Sequence, residues 1–185
     1  MKAMVISGSR NPQGQTAAAA GAVIEGLRAN DVEVELAFLP PLTIERCRQC
    51  DQAGWGACRS EGRCVIEDDF ARLVEGLRAA DCAVFATPVY FSDLSESLRA
   101  FLDRLRRITC HETGKAGITD TPTVGLCVSG GGPAGACAAI LEKTLATCGF
   151  SVVDMVPVRR QNLAAKQDIL HHTGAWLATG APEKA

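Results

Sequence analysis

A three-layer α/β fold, with a five-stranded parallel sheet between two layers of helices, is predicted for these 185 residues by three observations. Short apolar runs of strand length alternate with stretches of helical periodicity along the chain. The apolar runs are nearly continuous, as strands buried on both faces are. Gly- and Pro-marked loops follow strand ends, where open α/β sheets carry their ligands. With 47% hydrophobic and 22% charged residues, the chain has apolar material for one core and too little length for two ordinary domains. A single domain over residues 1–185 is expected, with a cysteine-rich insertion spanning roughly 44–66.

The elements follow in order. Residues 2–7 (KAMVIS) read as the first strand, and 16–29 as a helix with Ala20, Val23, Ile24 and Leu27 on one face. The second strand runs over 32–39 and is stopped by Pro40 and Pro41. Glu67, Asp68 and Asp69 place negative charge at the start of a helix carrying Phe70, Leu73, Val74 and Leu77 at helical spacing. Residues 81–87 form the third strand. Asp93 and Glu96 have the spacing of a capping box, opening a helix that buries Leu94, Leu98, Phe101, Leu102 and Leu105. The fourth strand covers 123–129, a helix covers 134–147 and stops at Gly149, the fifth strand covers 151–158, and a last helix covers 162–177.

Nineteen Lys and Arg against twenty-one Asp and Glu give a net charge of -2, which lacks the basic excess of a nucleic-acid binder. The N-terminal apolar run ends at Ile6, too short for a signal-peptide core or a membrane span, and no later run reaches spanning length. No membrane partner and a cytoplasmic location are therefore expected.

Three loops at strand ends concentrate the chemistry. The first, Gly8-Ser9-Arg10-Asn11-Pro12-Gln13-Gly14-Gln15-Thr16, leads into a helix N-terminus. Unpaired amides there attract an anion, with Ser9, Gln15, Thr16 and Arg10 adding donors, and an ordinary polar turn is the alternative. It lacks the Gly-Lys-Ser/Thr ending of a P-loop. The second, Thr87-Pro88-Val89-Tyr90-Phe91-Ser92, offers an apolar shelf suited to a planar ring. Packing under another loop is its competing explanation. The third, Ser129-Gly130-Gly131-Gly132-Pro133-Ala134-Gly135, lets a ligand approach backbone closely. Its G-x-G-x-x-G match follows the fourth strand, whereas a dinucleotide fingerprint opens the first βαβ unit.

Of nine cysteines, Cys47, Cys50, Cys58 and Cys64 crowd into one segment with Arg46, Arg48, Arg59 and Arg63. Four thiolates suit an iron-sulfur cluster or zinc, and bare thiols or an occasional disulfide are the third possibility. The other five read as small packing hydrophobes.

The three loops together resemble the NADPH-dependent FMN reductase branch of the flavodoxin-like superfamily. Gly8-Ser9 to Thr16 is similar to its phosphate loop, Thr87 to Phe91 with Phe101-Leu102-Asp103-Arg104 to its ring-binding loop and following helix, and Gly130 to Gly132 to a third flavin-contacting loop. The family often has Pro and Arg where this chain has Arg10 and Asn11. The cysteine segment, followed by Val65-Ile66-Glu67-Asp68-Asp69, resembles iron-sulfur flavoproteins of the same branch, although seven residues separate Cys50 from Cys58.

The resemblance implies a flavodoxin-like sandwich binding FMN through Ser9, Arg10, Gln15, Thr16, Pro88, Val89, Tyr90, Phe91, Ser129, Gly130 and Gly131. It implies an oxidoreductase taking electrons from NAD(P)H and passing them to a flavin, quinone or small protein acceptor, with a homodimer or higher homo-oligomer as the assembly. Cys47, Cys50, Cys58 and Cys64 would hold a 4Fe-4S cluster or zinc. The rival is a flavodoxin-type or iron-sulfur flavoprotein electron carrier without a small-molecule substrate. No catalytic side chain is required, because the flavin carries the redox chemistry. His111, His171 and His172 fall outside the loops, and Asp103 and Arg104 are expected as a helix-surface or subunit-interface pair.

Overall fold

A computed structural model describes residues 1–181; residues 182–185, the end of the expected 1–185 domain, lie outside the described residues. The five expected strands form one sheet, β1 (Lys2–Ser7), β2 (Glu33–Phe38), β3 (Cys82–Pro88), β4 (Pro122–Ser129) and β5 (Ser151–Arg159). Their order is β2-β1-β3-β4-β5 and every neighbouring pair is parallel, which is the flavodoxin-like doubly wound order. β5 carries one extra residue, Val153, where the β4 register shifts between Thr123 and Val124.

The helices are α1 (Gln15–Arg28), α2 (Ala57–Ser60), α3 (Phe70–Ala79), α4 (Glu96–Ile108), α5 (Glu112–Lys115), α6 (Ala134–Cys148) and α7 (Gln167–Thr179). Alternation along the strands sorts them into two cores. Met4 and Ile6 of β1 face Phe70, Leu73, Phe101, Leu105 and Leu141 of α3, α4 and α6. Ala3 and Val5 face Val23, Leu27, Leu170 and Leu177 of α1 and α7. α1 and α7 approach through bare backbone: a Cβ on Gly26 would collide with the His171 carbonyl, and one on Gly174 with that of Val23. No helix among the described residues is long and apolar enough to cross a membrane.

Two expected helix starts are corrected. The last helix begins at Gln167, because 160–166 folds into two 3-10 turns in which the Asn162 amide oxygen accepts from the Arg159 amide at 2.9 Å. The capping residue of α4 is Ser95, whose hydroxyl accepts from the Leu98 amide. Asp93 lies one turn earlier, where Tyr90 and Asp93 exchange backbone bonds at 3.0 and 2.9 Å. Its carboxylate accepts from the Leu94 amide and pairs with Arg99.

Candidate functional site

The three loops meet above the carboxyl ends of β1, β3 and β4. Gly8 donates to the Ala86 carbonyl at 2.9 Å, and Val89 to the Val128 carbonyl at 2.9 Å, so each loop is tied to the neighbouring strand. A side chain at position 8 would collide with the Ser95 hydroxyl, so glycine lets the first loop lie on the start of α4. Between the loops is a cleft of ≈ 370 Å³ lined by Ser9, Asn11, Gly14, Gln15, Thr16, Pro88, Val89, Tyr90, Val128 and Gly130. That volume suits a small-molecule ligand.

The cleft wall at α1 has the electrostatics that attract an anion. The helix N-cap is Gly14, which has no side chain with which to cap it. The Gln15, Thr16 and Ala17 amides meet no intramolecular acceptor among the described residues, so the positive end of the helix dipole opens into the cleft. The preceding turn holds itself in shape: the Ser9 hydroxyl accepts from the Asn11 amide at 3.3 Å, and the Asn11 carboxamide oxygen accepts from the Gln13 amide at 2.9 Å. Across the cleft, Tyr90 is half-exposed and Phe91 wholly exposed. Phe91 and Ser92 take left-handed φ values of 49° and 66°, a conformation costly for a bulky side chain.

Of the eleven expected binding residues, Ser9, Gln15, Thr16, Pro88, Val89, Tyr90 and Gly130 line this cleft. Arg10 does not: it turns to Glu96 at 3.3 Å and borders a neighbouring groove. Phe91 stands in solvent at the rim, and Gly131 is not in the lining. Ser129 is buried, its hydroxyl holding the Gly132 carbonyl at 3.0 Å. Three lining residues escaped the sequence reading. Asn11 and Gly14 carry turn chemistry that marks them, whereas Val128 looks like any other buried strand residue.

The four clustered cysteines border one much smaller cavity of ≈ 20 Å³, with Arg48, Arg63, Arg104 and Arg107 around it. Among the described residues, no group of three or more His, Cys, Asp or Glu side chains is placed to hold a metal ion. The space admits about one water-sized sphere, so neither a cluster nor tetrahedral zinc fits the thiols as they stand. Trp55 lies between Arg59 and Arg107, at 5.4 and 4.7 Å from its ring centroid, and Arg107 donates to the Gly54 carbonyl at 2.6 Å. Burial pushes the Cys58 thiol up.

The expected Asp103–Arg104 surface pair is corrected. Asp103 pairs with Arg106 on the surface at 2.9 Å, while the Arg104 side chain is 1% exposed and forms a two-pronged ion pair with the equally buried Asp68 at 2.6 and 3.0 Å. Arg104 points inward because its helix position falls on the α4 stripe with Phe101 and Leu105. Burial pushes the Asp68 carboxyl up, but bonds from Arg104 and from the Glu45 and Phe70 amides outweigh it and hold it below the usual carboxylate range. Elsewhere, burial pushes Cys82 and Cys148 up to about 12, and Cys127, bonded to Cys137 and buried, is raised as well. Cys82, Cys127 and Cys148 are packed thiols, as expected, whereas Cys110, expected to pack with them, is exposed at the end of α4.

Comparison with known proteins places this geometry. An iron-sulfur flavoprotein of Methanosarcina thermophila is 34% identical over 104 residues, covering 56% of this chain and 52% of the relative. An FMN-dependent NADH:quinone oxidoreductase of Alteromonas mediterranea is 30% identical over 115 residues, 58% of this chain and 55% of the relative. The chain thus spans about half the length of the curated relatives it matches. An NAD(P)H:quinone oxidoreductase from Methanothermobacter marburgensis shares the fold at a TM-score of 0.73 and 18% identity, covering 98% of each chain. The model of the NADPH-dependent FMN reductases matches residues 1–168, so the sheet, the uncapped helix and the aromatic rim are those of a chain that belongs to the NADPH-dependent FMN reductase family.

Proposed function

We propose that this chain is an FMN-dependent oxidoreductase that draws electrons from NAD(P)H and delivers them to a quinone, a flavin or a small protein acceptor. The observation that carries the reading is the ≈ 370 Å³ cleft running from the free α1 amides to the Tyr90 rim. Bound FMN supplies a ring that accepts hydride and releases electrons singly or in pairs. The amides of Gln15 and Thr16, with Ser9, receive the phosphate. Pro88, Val89, Tyr90 and Gly130 receive the ring, and Ser129 holds the Gly132 carbonyl so that the glycine loop keeps its course.

A monophosphate satisfies this wall, and FMN is the expected ligand over FAD. The open rim at Tyr90 and Phe91 gives donor and acceptor one shared approach, and a second copy of the chain covering part of that rim belongs to the same reading. The cytoplasm is the proposed compartment, since nine free thiols suit a reducing medium.

Steady-state oxidation of NADPH and NADH by the FMN-loaded protein, with a quinone varied, tests the reading. Parallel double-reciprocal lines are expected, because two substrates sharing one approach must alternate. Reduction of the flavin by neither nicotinamide, with electron exchange only to protein partners, would instead identify a carrier.

A further inference from the structure

We infer that the cysteine-rich segment is fastened to the domain by the buried guanidinium of Arg104, and that its four thiols are not held by a metal centre. A 4Fe-4S cube needs room for four irons and four sulfides among its thiolates, whereas Cys47, Cys50, Cys58 and Cys64 enclose ≈ 20 Å³. Tetrahedral zinc would need all four sulfurs at about 2.3 Å from one point, and no three ligating side chains converge there. The thiols differ in their surroundings too: Cys50 is exposed, while the other three are partly buried. Cys64 faces Arg104, whose Nη2 donates to its sulfur at 3.3 Å.

Arg104 does for the segment what a metal would do. It sits on α4, in the rigid core, and reaches both ends of the insertion. Its Nη1 donates to the Glu45 carbonyl at 3.2 Å, where the segment begins, and its Nη2 to the Ile66 carbonyl at 3.4 Å, where it ends. Asp68 neutralises it with two bonds and also accepts from the Glu45 amide at 2.8 Å and the Phe70 amide at 3.1 Å. The guanidinium lies 4.2 Å from the Phe70 ring centroid, which fixes its plane. Of the three guanidinium nitrogens of Arg104, Nε alone has no hydrogen-bond partner among the described residues. A planar, permanently charged fork is required to reach so many acceptors at once, and lysine cannot supply it.

This inference does not depend on the identity of the electron acceptor, and its test reads the segment itself rather than turnover. FMN-loaded protein purified without oxygen is analysed for iron, sulfide and zinc, and backbone hydrogen exchange is followed over residues 45–66 with the β1 amides as the internal reference. Metal far below one atom per chain is expected. The combined Cys47→Ser, Cys50→Ser, Cys58→Ser and Cys64→Ser variant should keep the wild-type exchange profile. Arg104→Met should raise exchange in 45–66 by about a hundredfold while β1 stays protected, and Arg104→Lys should show the same loosening in smaller measure. If Arg104→Met does not fold, the lysine and serine variants decide. A stoichiometric metal together with a segment that loosens in the serine variant would overturn the inference, as would unchanged exchange in both arginine variants.

Discussion

The three-loop cleft and the cysteine cavity flank one helix, and they solve opposite problems. At its N-terminus α4 meets the first loop, with Ser97 donating to the Gly8 carbonyl at 3.3 Å, beside amides that have no partner among the described residues. Two turns later the same helix buries Arg104 with nearly every donor occupied. The cleft keeps donors free because a ligand must complete them; the cavity closes its polar groups on one another. Unsatisfied polar groups mark where a protein expects company, and satisfied ones mark where it has finished folding. The arginine-rich cysteine segment is the more eye-catching of the two in sequence, yet the plainer loop at Ser9 is the one left chemically open.

Several substitutions would break or sharpen that contrast. The largest effect is expected at the open end, where Thr16→Glu places a carboxylate against the ligand phosphate and should weaken FMN binding by about a hundredfold or more. Flavin fluorescence titration measures it, and unchanged affinity would remove the phosphate assignment. At the closed end, Asp68→Asn strands a buried guanidinium and should lower Tm by about 10 °C, seen by calorimetry. FMN affinity of that variant should move less than about twofold if the two ends are independent.

Acid separates them as well. Because the folded Asp68 carboxyl lies below its ordinary value, its contribution is complete above the unfolded value of about 3.9 and is lost only as pH falls through the lower folded one. Trp55 emission, read in a Trp176→Phe background, should therefore stay level from neutral pH to about 5 and change only below about 4. A change near pH 6 would point to another group.

Smaller effects belong to the rim. Phe91→Gly relieves a left-handed aromatic and should raise Tm by about 2 °C while costing a few-fold in flavin or nicotinamide affinity, a trade of stability for function. Glu96→Gln should shift stability by less than about 0.5 kcal/mol, since both partners of the Arg10 pair are exposed. It should also tighten FMN binding by about twofold, because a released Arg10 can swing toward the phosphate.

The sheet was legible in the sequence because a strand buried on both faces announces itself in a handful of adjacent residues, as KAMVIS and 123–129 do. The loop that opens onto the α1 N-terminus was legible for a similar reason, since Ser9, Gln15 and Thr16 lie close together in the chain. Arg104 was not. Its partner Asp68 lies 36 residues away, and Asp103 beside it offered a false local companion. The α7 start was hidden because 3-10 turns at 160–166 run directly into the helix, and the cap formed by Asn162 on Arg159 starts those turns rather than α7. The cysteines showed which atoms were available for ligation and left unsaid how far apart folding would hold them.

The glycine contact between α1 and α7 bears on how the protein is made. Gly26 and Gly174 let these two backbones touch, so the helix whose N-terminal amides open into the cleft leans on a helix synthesised long after it. Translation must reach residue 179 and the exit tunnel must release it before α1 has its backing. Until then that wall of the cleft stands without support, so a nascent chain halted before α7 should hold FMN less tightly than one released past it.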